Sequence, residues 1–269
     1  MPELPEVETV RRSLAPGLEG RTIRAVSFCW PRTCVGDARS TERRLAGQRI
    51  ERLDRHGKYL LLRLRRDQRS SLLIIHLRMT GTLLLNGRPG AYTRATMSLD
   101  DGATVVFQDI RKFGRWQWSE ELPPRLAALG PDPLEIGREA FAARLASRKA
   151  RLKALLLDQA FLRGLGNIYA DEALFRARLH PERSAAGVGG RKAGDLHDAI
   201  RAVLRDAIAA GGTSISNYRD GQGAPGAFQR QIRIYGRAGT PCPTCGARVR
   251  RTVIAQRSTH FCPRCQRRR

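Results

Sequence analysis

The spacing of apolar residues divides the chain into segments with different periods. Near the N-terminus, Leu4, Val7, Val10 and Leu14 recur at helical intervals, and Pro5 suits the first turn of a helix. Short β-type runs follow, separated by turn residues such as Asp101-Gly102, a good hairpin signal. These runs cover residues 22–28, 59–64, 72–77, 82–85, 96–99 and 104–107. The first part of the chain is therefore predicted to be one helix followed by a strand-rich region.

The second half of the chain has a helical pattern. The strands stop around Gly130-Pro131-Asp132-Pro133, where two closely spaced prolines predict an interdomain hinge. Helical spacing then occurs on both sides of Gly164-Leu165-Gly166. A further apolar stripe, ended by Gly211-Gly212, consists of Leu196, Ile200, Val203, Leu204 and Ile208. A loop with glycine and proline, residues 220–226, precedes a short cysteine-containing segment, so we expect an α+β chain of several domains.

The charge of the chain indicates which class of molecule it binds. Of its 269 residues, 49 are Lys or Arg and 25 are Asp or Glu, a net charge of +24, and no acidic residue follows Asp220. A terminal segment of one sign is typical of a phosphate-binding surface, because each neutralised phosphate releases counterions. The expected partner is a polyanion, most simply nucleic acid. A GC-rich genome is the alternative, and it explains the excess of Arg over Lys but not the shortage of acids.

The sequence predicts no association with membranes. No apolar run approaches the ~18 residues that a membrane span needs. Glu3, Glu6 and Glu8 stand where a secretory signal would carry positive charge and then an apolar core.

Four cysteines near the C-terminus have the spacing of a zinc site. The pattern is Cys242-x2-Cys245, sixteen residues, then Cys262-x2-Cys265. Four thiolates complete a tetrahedral site and leave no open position, so one structural Zn²⁺ is expected rather than a catalytic one. Two disulfides are the alternative, but they are rare in a chain without a secretory signal. Cys29 and Cys34 lie apart from this pattern and are expected to be inert or partly buried thiols.

The first residues offer an amine nucleophile. Met before a small residue such as Pro is commonly removed, and this would expose the secondary amine of Pro2. An α-amino group has a pKa of roughly 7.7–8.0, so a sizeable neutral fraction exists near pH 7. Such an amine can form an iminium with a sugar carbon while a neighbouring carboxylate moves protons. The alternative is a plain capped helix start, with acids that favour the helix dipole.

Six blocks along the chain carry a resemblance to a known family. They are MPELPEVE at 1–8, HGKYL at 56–60, HLRMTG at 76–81, DIRKFG at 109–114, GLGNIYA at 164–170, and the four-cysteine segment with Gln256-Arg257 before its third cysteine. In this order they resemble the bacterial formamidopyrimidine-DNA glycosylase (Fpg) branch of the Fpg/Nei base-excision repair family. The resemblance implies a β-sandwich flanked by helices over residues 1–130, a helix–two-turn–helix domain over 131–228 and a zinc-finger hairpin over 229–269.

The resemblance also implies a reaction. The chain is expected to act as a monomer in the bacterial cytoplasm, associated with the nucleoid. Its expected substrate is damaged double-stranded DNA, from which it would remove 8-oxoguanine and formamidopyrimidines and then cut the strand by β,δ-elimination. Pro2 would be the Schiff-base nucleophile, Glu3 the proton donor, and Glu6 would help to position the lesion. Lys58 would donate a proton for β-elimination and Arg257 for δ-elimination, and both would grip phosphate. The alternative is that Lys58 and Arg257 are ordinary members of a solvated basic surface.

A second set of residues is expected to contact DNA. The set consists of His76, Met79, Arg111, Phe113, Lys153 and Asn167. A flipped base leaves a hole in the stack, so Met79 and Phe113 would fill it and Arg111 would face the orphaned base. Alternatively, Met79 and Phe113 are core residues and His76 is a satisfied interior histidine. A turn and helix start at Asn167 favour a phosphate, but a C-cap and helix restart is equally consistent.

Two positions depart from the family pattern. Arg78 stands where members commonly carry Gly, and Ala227 stands in the lesion-covering loop, residues 214–228, where an aromatic residue often occurs. These departures bear on lesion preference. Two alternative functions remain open at this stage: an endonuclease VIII-like glycosylase for oxidised pyrimidines, against which Leu4 argues because that branch typically has Gly there, and a zinc-dependent protein that binds damaged DNA without catalysis.

Overall fold

A computed structural model describes residues 1–214 and 218–268, and the chain divides into two units. The first unit combines residues 1–127 with 210–229, and the second combines 128–209 with 230–269. The predicted division placed residues 210–228 with the helices, whereas they pack in the first unit. The reason is a set of hydrogen bonds with the N-terminal helix, for example from Gly221 N to Ser13 Oγ at 2.8 Å. The predicted boundaries of the three domains, at residues 130 and 228, stay a prediction.

The first unit is a sandwich of two four-stranded antiparallel sheets. One sheet has the order β1-β6-β7-β5 and the other β2-β3-β4-β8. The strands are β1 Ile23–Ser27, β2 Arg49–His56, β3 Tyr59–Arg66, β4 Arg69–His76, β5 Gly81–Leu85, β6 Thr93–Leu99, β7 Thr104–Asp109 and β8 Arg115–Ser119. The helices of this unit are α1 Leu4–Leu18, α2 Ala38–Leu45 and α3 Pro124–Ala127. The expected β-sandwich flanked by helices is confirmed.

Alternation of side chains explains the core of the sandwich. Along β4, Leu73 and Ile75 belong to the core, while Ile74 between them lies on the opposite face. Trp116 on β8 and Phe107 on β7 are fully buried and their rings lie 5.9 Å apart. The apolar stripe of α1 packs into the same core, as its spacing predicts, with Leu14 1% exposed.

Within its described residues, the second unit contains four α-helices and a two-stranded hairpin. The helices are α4 Arg138–Ala146, α5 Leu152–Leu157, α6 Asn167–Arg176 and α7 Gly190–Ala209, and the hairpin strands are β9 Arg250–Ile254 and β10 Arg257–Phe261. The predicted stripe of α7 is buried, with Leu196, Val203 and Leu204 each fully inaccessible. A small apolar cluster joins Phe175 of α6 to Ile234, Val249 and two of the finger cysteines. None of the described helices is long and apolar enough to cross a membrane.

Candidate functional site

The start of α1 buries two carboxylates. Glu3 is the N-cap residue of α1, and its own N–H donates to Glu6 Oε2 at 2.8 Å, which completes a capping box. Glu6 Oε1 accepts a second backbone hydrogen bond, from Thr213 N at 2.8 Å, and the Tyr218 hydroxyl donates to the Glu6 carbonyl at 3.2 Å. Helix α1 therefore begins with a capping box, as the alternative interpretation of the sequence predicted. The same hydrogen bonds fix the Glu6 carboxylate between the start of α1 and Thr213.

The chain's amino group lies among charged side chains of this unit. Burial lowers the pKa of the Met1 α-amino group, the carboxylates of Glu3 and Glu6 oppose this effect, and the positive charges of Lys58 and Arg111 reinforce it. Four sequence-predicted residues are thus brought within electrostatic range of the N-terminus. A lowered pKa increases the neutral fraction of an amine near pH 7, and only the neutral form is a nucleophile.

Lys58 sits on a tight hairpin turn between β2 and β3. His56 pairs with Tyr59, which leaves Gly57 and Lys58 as the two loop residues. Gly57 has φ +62°, the conformation that the first loop position of a type II′ turn requires. Lys58 is only 8% exposed, so the turn holds a largely buried lysine rather than a mobile surface one.

His76 ends β4 as a buried, neutral imidazole. Burial lowers its pKa to about 3, and the positive charges of Arg78, Lys58 and Arg125 act in the same direction. Its Nδ1 accepts the Arg78 N–H at 2.9 Å, which places the single ring proton on Nε2. The Tyr59 ring packs edge-on against it, with ring centroids 4.4 Å apart. His76 is therefore a satisfied interior histidine that keeps one N–H donor.

Met79 and Phe113 are exposed loop tips. Their side chains are 37% and 46% exposed, so the alternative of core residues does not hold for either. The residue before each of them has a left-handed backbone, with φ +58° at Arg78 and φ +60° at Lys112. This conformation explains why glycine suits position 78, and it costs about 1–2 kcal/mol for a residue with a Cβ. The Arg111 guanidinium lies over the Phe113 ring, 4.8 Å from its centroid.

A buried carboxylate that the sequence reasoning missed ties the two loops together. Asp109 is 1% exposed, and its oxygens accept from the Thr80 hydroxyl, from Arg111 N at 3.2 Å and from Gly114 N at 2.7 Å. Thr80 follows one tip, and Arg111 and Gly114 flank the other. The only sequence signal was its place at the head of the DIRKFG block. A Cβ on Gly114 would collide with the Phe107 ring, so this loop also needs glycine.

An exposed aromatic residue next to these loops was also missed. Tyr92 is 51% exposed, and its carbonyl accepts the Asp109 N–H at 2.9 Å. Tyr92 follows a segment with glycine and proline that has no periodic pattern. Only its backbone pairing with Asp109 places it beside the loops of Met79 and Phe113.

The loop that the resemblance predicts to cover the lesion is described in part, since residues 215–217 lie outside the described chain. Ser214 Oγ accepts the Gly226 N–H at 2.9 Å, and Asp220 Oδ1 accepts the Ala224 N–H at 2.8 Å. Ala227 is half-buried and donates its N–H to the Ala210 carbonyl at 2.8 Å. The described ends of the loop are therefore closed by their own hydrogen bonds.

In the second unit, Lys153, which was expected to contact DNA, lies in a buried ion pair. Its side chain is fully buried, and Nζ donates to Asp171 Oδ1 at 2.7 Å and to the Asn167 carbonyl at 2.8 Å. A buried and paired ammonium holds the elements around it together, and contact of Lys153 with DNA stays a prediction. Asp171 Oδ2 also accepts from His260 N at 2.9 Å, so the ion pair joins α5, α6 and β10.

Asn167 begins α6 after the Gly-bounded turn. Its side-chain nitrogen donates to the Ser258 carbonyl at 3.0 Å, which links the helix start to the hairpin strand β10. The start of a helix presents backbone N–H groups and the positive end of the helix dipole. The amide of Asn167 is thus engaged within the protein, and the anion-binding capacity of this turn lies in its backbone.

Arg257 is held by a strained hairpin turn. Ala255 and Gln256 separate β9 from β10, with φ +48° and +59°, the pattern of a type I′ turn built without glycine. Arg257 is exposed and opens β10. Strain of this kind persists where the surrounding structure holds it, and it marks Arg257 as a functional candidate.

The four finger cysteines converge as their spacing predicts. Their Sγ atoms all lie within 4.8 Å of one another, with Cys242 and Cys265 3.9 Å apart and Cys245 and Cys262 3.5 Å apart. A tetrahedral zinc with Zn–S bonds of about 2.3 Å requires sulfur separations of about 3.8 Å. These distances fit a zinc centre and are far from a disulfide bond of about 2.05 Å. Apart from this cluster, Cys34 is buried, which raises its thiol pKa, and Cys29 is exposed.

Comparison with known proteins decides the family. Three family profiles match successive parts of the chain: formamidopyrimidine-DNA glycosylase N-terminal domain at 1–116, formamidopyrimidine-DNA glycosylase H2TH domain at 129–219, and zinc finger found in FPG and IleRS at 239–268. The formamidopyrimidine-DNA glycosylase of Solibacter usitatus is 50% identical over 100% of both chains. The chain belongs to the formamidopyrimidine-DNA glycosylase family.

Further members of the family agree in length and fold. The glycosylase of Heliobacterium modesticaldum is 48% identical over 99% of this chain and 100% of its own. The MutM (Fpg) protein from Thermus thermophilus is 44% identical, with 98% of both chains covered and a TM-score of 0.87. A MutM protein solved with DNA containing carbocyclic 8-oxo-G is 34% identical, with 99% and 100% covered and a TM-score of 0.89. The resemblance carried by the six sequence blocks is confirmed, as is its zinc-finger segment.

Proposed function

We propose that this chain is a base-excision repair enzyme that removes oxidised purines, 8-oxoguanine and formamidopyrimidines, from double-stranded DNA. Family membership supports glycosylase activity. Structural relatives have been solved with DNA containing Fapy-dG and with DNA containing carbocyclic 8-oxo-G, which supports the substrate class. The observation that carries the proposal is the start of α1, where Pro2 and Glu3 are buried and the Glu6 carboxylate is held by the backbone N–H groups of Glu3 and Thr213.

The proposed chemistry begins with the Pro2 nitrogen after removal of Met1. The secondary amine attacks C1′ of the damaged nucleoside, the bond from C1′ to the base breaks, and the base leaves with a proton. Glu3 then protonates the sugar ring oxygen, so that the ring opens and an iminium links Pro2 to C1′. Glu6, held by the backbone N–H groups of Glu3 and Thr213, positions the lesion rather than transferring protons.

Strand cleavage is the second half of the proposal. The iminium acidifies the adjacent sugar protons, so β-elimination and then δ-elimination release the phosphates on both sides of the lesion. We assign the proton donors to Lys58 and Arg257, each of which is held by a tight hairpin turn. Each would also bind a phosphate, and a cation held in a fixed position suits this role better than a mobile one.

The remaining residues serve DNA binding. Met79 and Phe113 would fill the hole that the flipped nucleotide leaves, and Arg111 would face the orphaned base. The four cysteine thiolates would hold one Zn²⁺, which supplies folding free energy to the hairpin that carries Arg257. Because one chain supplies the complete set of residues, we propose that it acts as a monomer.

Borohydride trapping tests the proposal. Oligonucleotide duplexes carrying 8-oxoguanine, dihydrouracil or an abasic site are incubated with the protein and reduced, and the adduct is mapped by peptide sequencing. We expect a covalent adduct through the Pro2 nitrogen with 8-oxoguanine and with the abasic site. An adduct on Lys58 would overturn the nucleophile assignment. Preferential trapping on dihydrouracil would indicate the endonuclease VIII-like alternative, and no trapping on any substrate would indicate a binding protein.

A second measurement separates the two half-reactions. Glu3→Gln is expected to lose base excision while it keeps more activity on a preformed abasic site, because the abasic aldehyde is already open to attack. Equal loss on both substrates would indicate a folding defect or a different acid.

A further inference from the structure

The segment between β1 and α2, residues 28–36, lies beside the loop of residues 109–114. Its first residue, Phe28, is buried and packs edge-on against Trp116 of β8, with ring centroids 5.9 Å apart. Near its other end, Val35 donates its N–H to the Trp116 carbonyl at 2.8 Å. Because β8 begins directly after the 109–114 loop, the segment is fastened where that loop returns to the sandwich.

Trp30 has a fixed backbone within this segment. Its N–H donates to the Arg94 carbonyl at 3.1 Å, and its own carbonyl accepts the Thr33 N–H at 2.8 Å. Pro31 follows Trp30 directly and opens the short 3-10 turn that ends at Thr33. Arg94 in turn donates from Nε to the carbonyl of Asp109, the first residue of the loop, at 2.9 Å. Trp30 is thus connected through Arg94 to the loop that carries the wedge.

The Trp30 ring supports the side chain of Lys112. The Lys112 Nζ lies 4.3 Å from the centroid of this ring, well inside the range of about 6 Å for a cation–π contact. The Arg32 Cζ lies 6.0 Å from the same centroid, at the limit of that range. Trp30 is half-buried whereas Lys112 is exposed, so the ring is the fixed partner and the ammonium is the one that is held.

Lys112 needs support because its backbone is strained. Its φ is +60°, in the left-handed region that a residue with a Cβ rarely adopts. Its carbonyl accepts from Arg115 Nη1 at 3.1 Å, and the Asp109 carboxylate holds the backbone on either side of it. Phe113 is the next residue and is exposed, so the direction in which its ring points depends on the conformation of Lys112.

We propose that Trp30 is a positioning residue for the Phe113 wedge. The inference rests on the proposed function, because it takes extrusion of a damaged nucleotide as the step that the wedge supports. The contact between Trp30 and Lys112 stabilises the strained backbone and keeps Phe113 at an exposed tip before DNA is bound. A wedge that is fixed in advance loses less conformational freedom when it enters the base stack. Trp30 acts only through Lys112.

The first measurement detects the contact in the free, zinc-containing chain by NMR. Lysines are few in this arginine-rich chain, so labelling with ¹³C-lysine gives few ε-methylene signals. The ring current of an aromatic face shifts protons above it upfield. We therefore expect one upfield ε-methylene signal that is absent from Lys112→Met. Trp30→Leu should return this signal to the ordinary lysine position, and Trp30→Phe should keep part of the shift. A Lys112 signal without an upfield shift would overturn the inference.

The second measurement compares two substrates under single-turnover conditions. Trp30→Leu and Lys112→Met should each slow the excision of 8-oxoguanine paired with cytosine about threefold to fivefold, the effect of losing a cation–π contact at a partly exposed site. Cleavage of a preformed abasic site should change less than about twofold, because no base has to be unstacked there. The double variant should be no slower than the slower single variant, and Trp30→Phe should stay close to the wild-type rate.

Arg44→Met is the matched control. The Arg44 Cζ lies over the Trp118 ring at the same distance, 4.3 Å from its centroid. Trp118 lies towards the other end of β8 from the 109–114 loop, and the substitution removes one positive charge, as Lys112→Met does. This variant should change neither rate.

Three outcomes would overturn the inference and leave the proposed function intact. Equal slowing on both substrates would indicate a general structural role of Trp30. Losses that add in the double variant would show that Trp30 acts on DNA directly. A salt slope lowered in Lys112→Met, with no slower excision in Trp30→Leu, would show that Lys112 contacts a phosphate instead. If the wild-type chain excises no 8-oxoguanine, the proposed function fails, whereas the NMR shift still decides whether Trp30 holds Lys112.

Discussion

The buried ion pair of Lys153 and Asp171 allows a sharp test of which role Lys153 has. Both side chains are fully buried, and their charged atoms are 2.7 Å apart. Lys153→Met keeps the apolar stem and removes the charge. Asp171 would then face a buried environment with the two donors of His260, its backbone N at 2.9 Å and Nδ1 at 3.2 Å, as compensation.

The expected cost follows from this geometry. Removing one partner of a buried pair destabilises a protein by about 3–5 kcal/mol, because an uncompensated charge is left behind. The hydrogen bonds from His260 place Lys153→Met at the lower end, about 3 kcal/mol. The double variant Lys153→Met/Asp171→Leu should cost less than the sum of the single changes, since it removes both charges. A direct contact with a DNA phosphate would instead leave stability unchanged.

Urea unfolding followed by far-UV circular dichroism measures the effect. With m of about 1–3 kcal/mol per molar urea, a loss of about 3 kcal/mol moves the midpoint down by roughly 1–3 M. Asp206→Asn is the control for an exposed pair: it breaks the Arg176–Asp206 pair, whose atoms are 2.8 Å apart but whose side chains are 25% and 45% exposed. That change should cost less than about 1 kcal/mol. A wild-type midpoint for Lys153→Met, together with a salt slope lowered by about 0.9, would refute the structural role and restore the DNA contact.

Three further predictions concern metal, pH and DNA. Chelation should remove one zinc per chain and abolish DNA binding. The fluorescence of the three tryptophans should stay native, because all three lie in the first unit. Metal analysis and emission spectra check these two outcomes. His76 resists protonation when folded, so stability should be full above its unfolded pKa of about 6.5 and fall as the pH drops towards about 3, by up to about 1.4 kcal/mol per pH unit. The difference between urea midpoints at pH 7 and pH 5 should shrink in His76→Gln, and an unchanged difference would contradict the assignment. Arg257→Ala should weaken binding to lesion and undamaged DNA alike and lower the salt slope by about one, whereas Phe113→Ala should keep the slope and lose on the order of 1–3 kcal/mol, mainly on a paired lesion. Binding titrations across salt with paired and mismatched duplexes decide between these outcomes, and a changed slope for Phe113→Ala would count against the wedge role.

Local periodicity was sufficient to predict many of the elements. The stripe of α1, the runs that became β1, β3, β4, β5, β6 and β7, and the stripe of α7 all follow from the spacing of apolar residues. The turn at Asp101-Gly102 joins β6 to β7, as a hairpin signal predicts. The strands β2 and β8 were missed, because charged and polar residues interrupt them and only pairing with β3 and β4 makes them strands.

The metal site and the family could also be predicted from sequence motifs. The two Cys-x2-Cys pairs predict their own convergence, since each pair is a local turn and one ion joins them. The six blocks predict the family, because their order along the chain carries more information than any one block.

Only the tertiary structure decided which residues face each other across long stretches of chain. Lys153 was expected from the sequence to contact DNA, and only the structure shows that α6 places Asp171 against it. Asp109 is one polar residue of a sequence block until its carboxylate is seen to hold both tips. The loop before the cysteine-containing segment was assigned to the helical domain, and only the structure shows its hydrogen bonds with Glu6 and Ser13. Periodicity is a property of neighbours in sequence, whereas burial, pairing and charge compensation depend on partners that the chain brings together only when it folds.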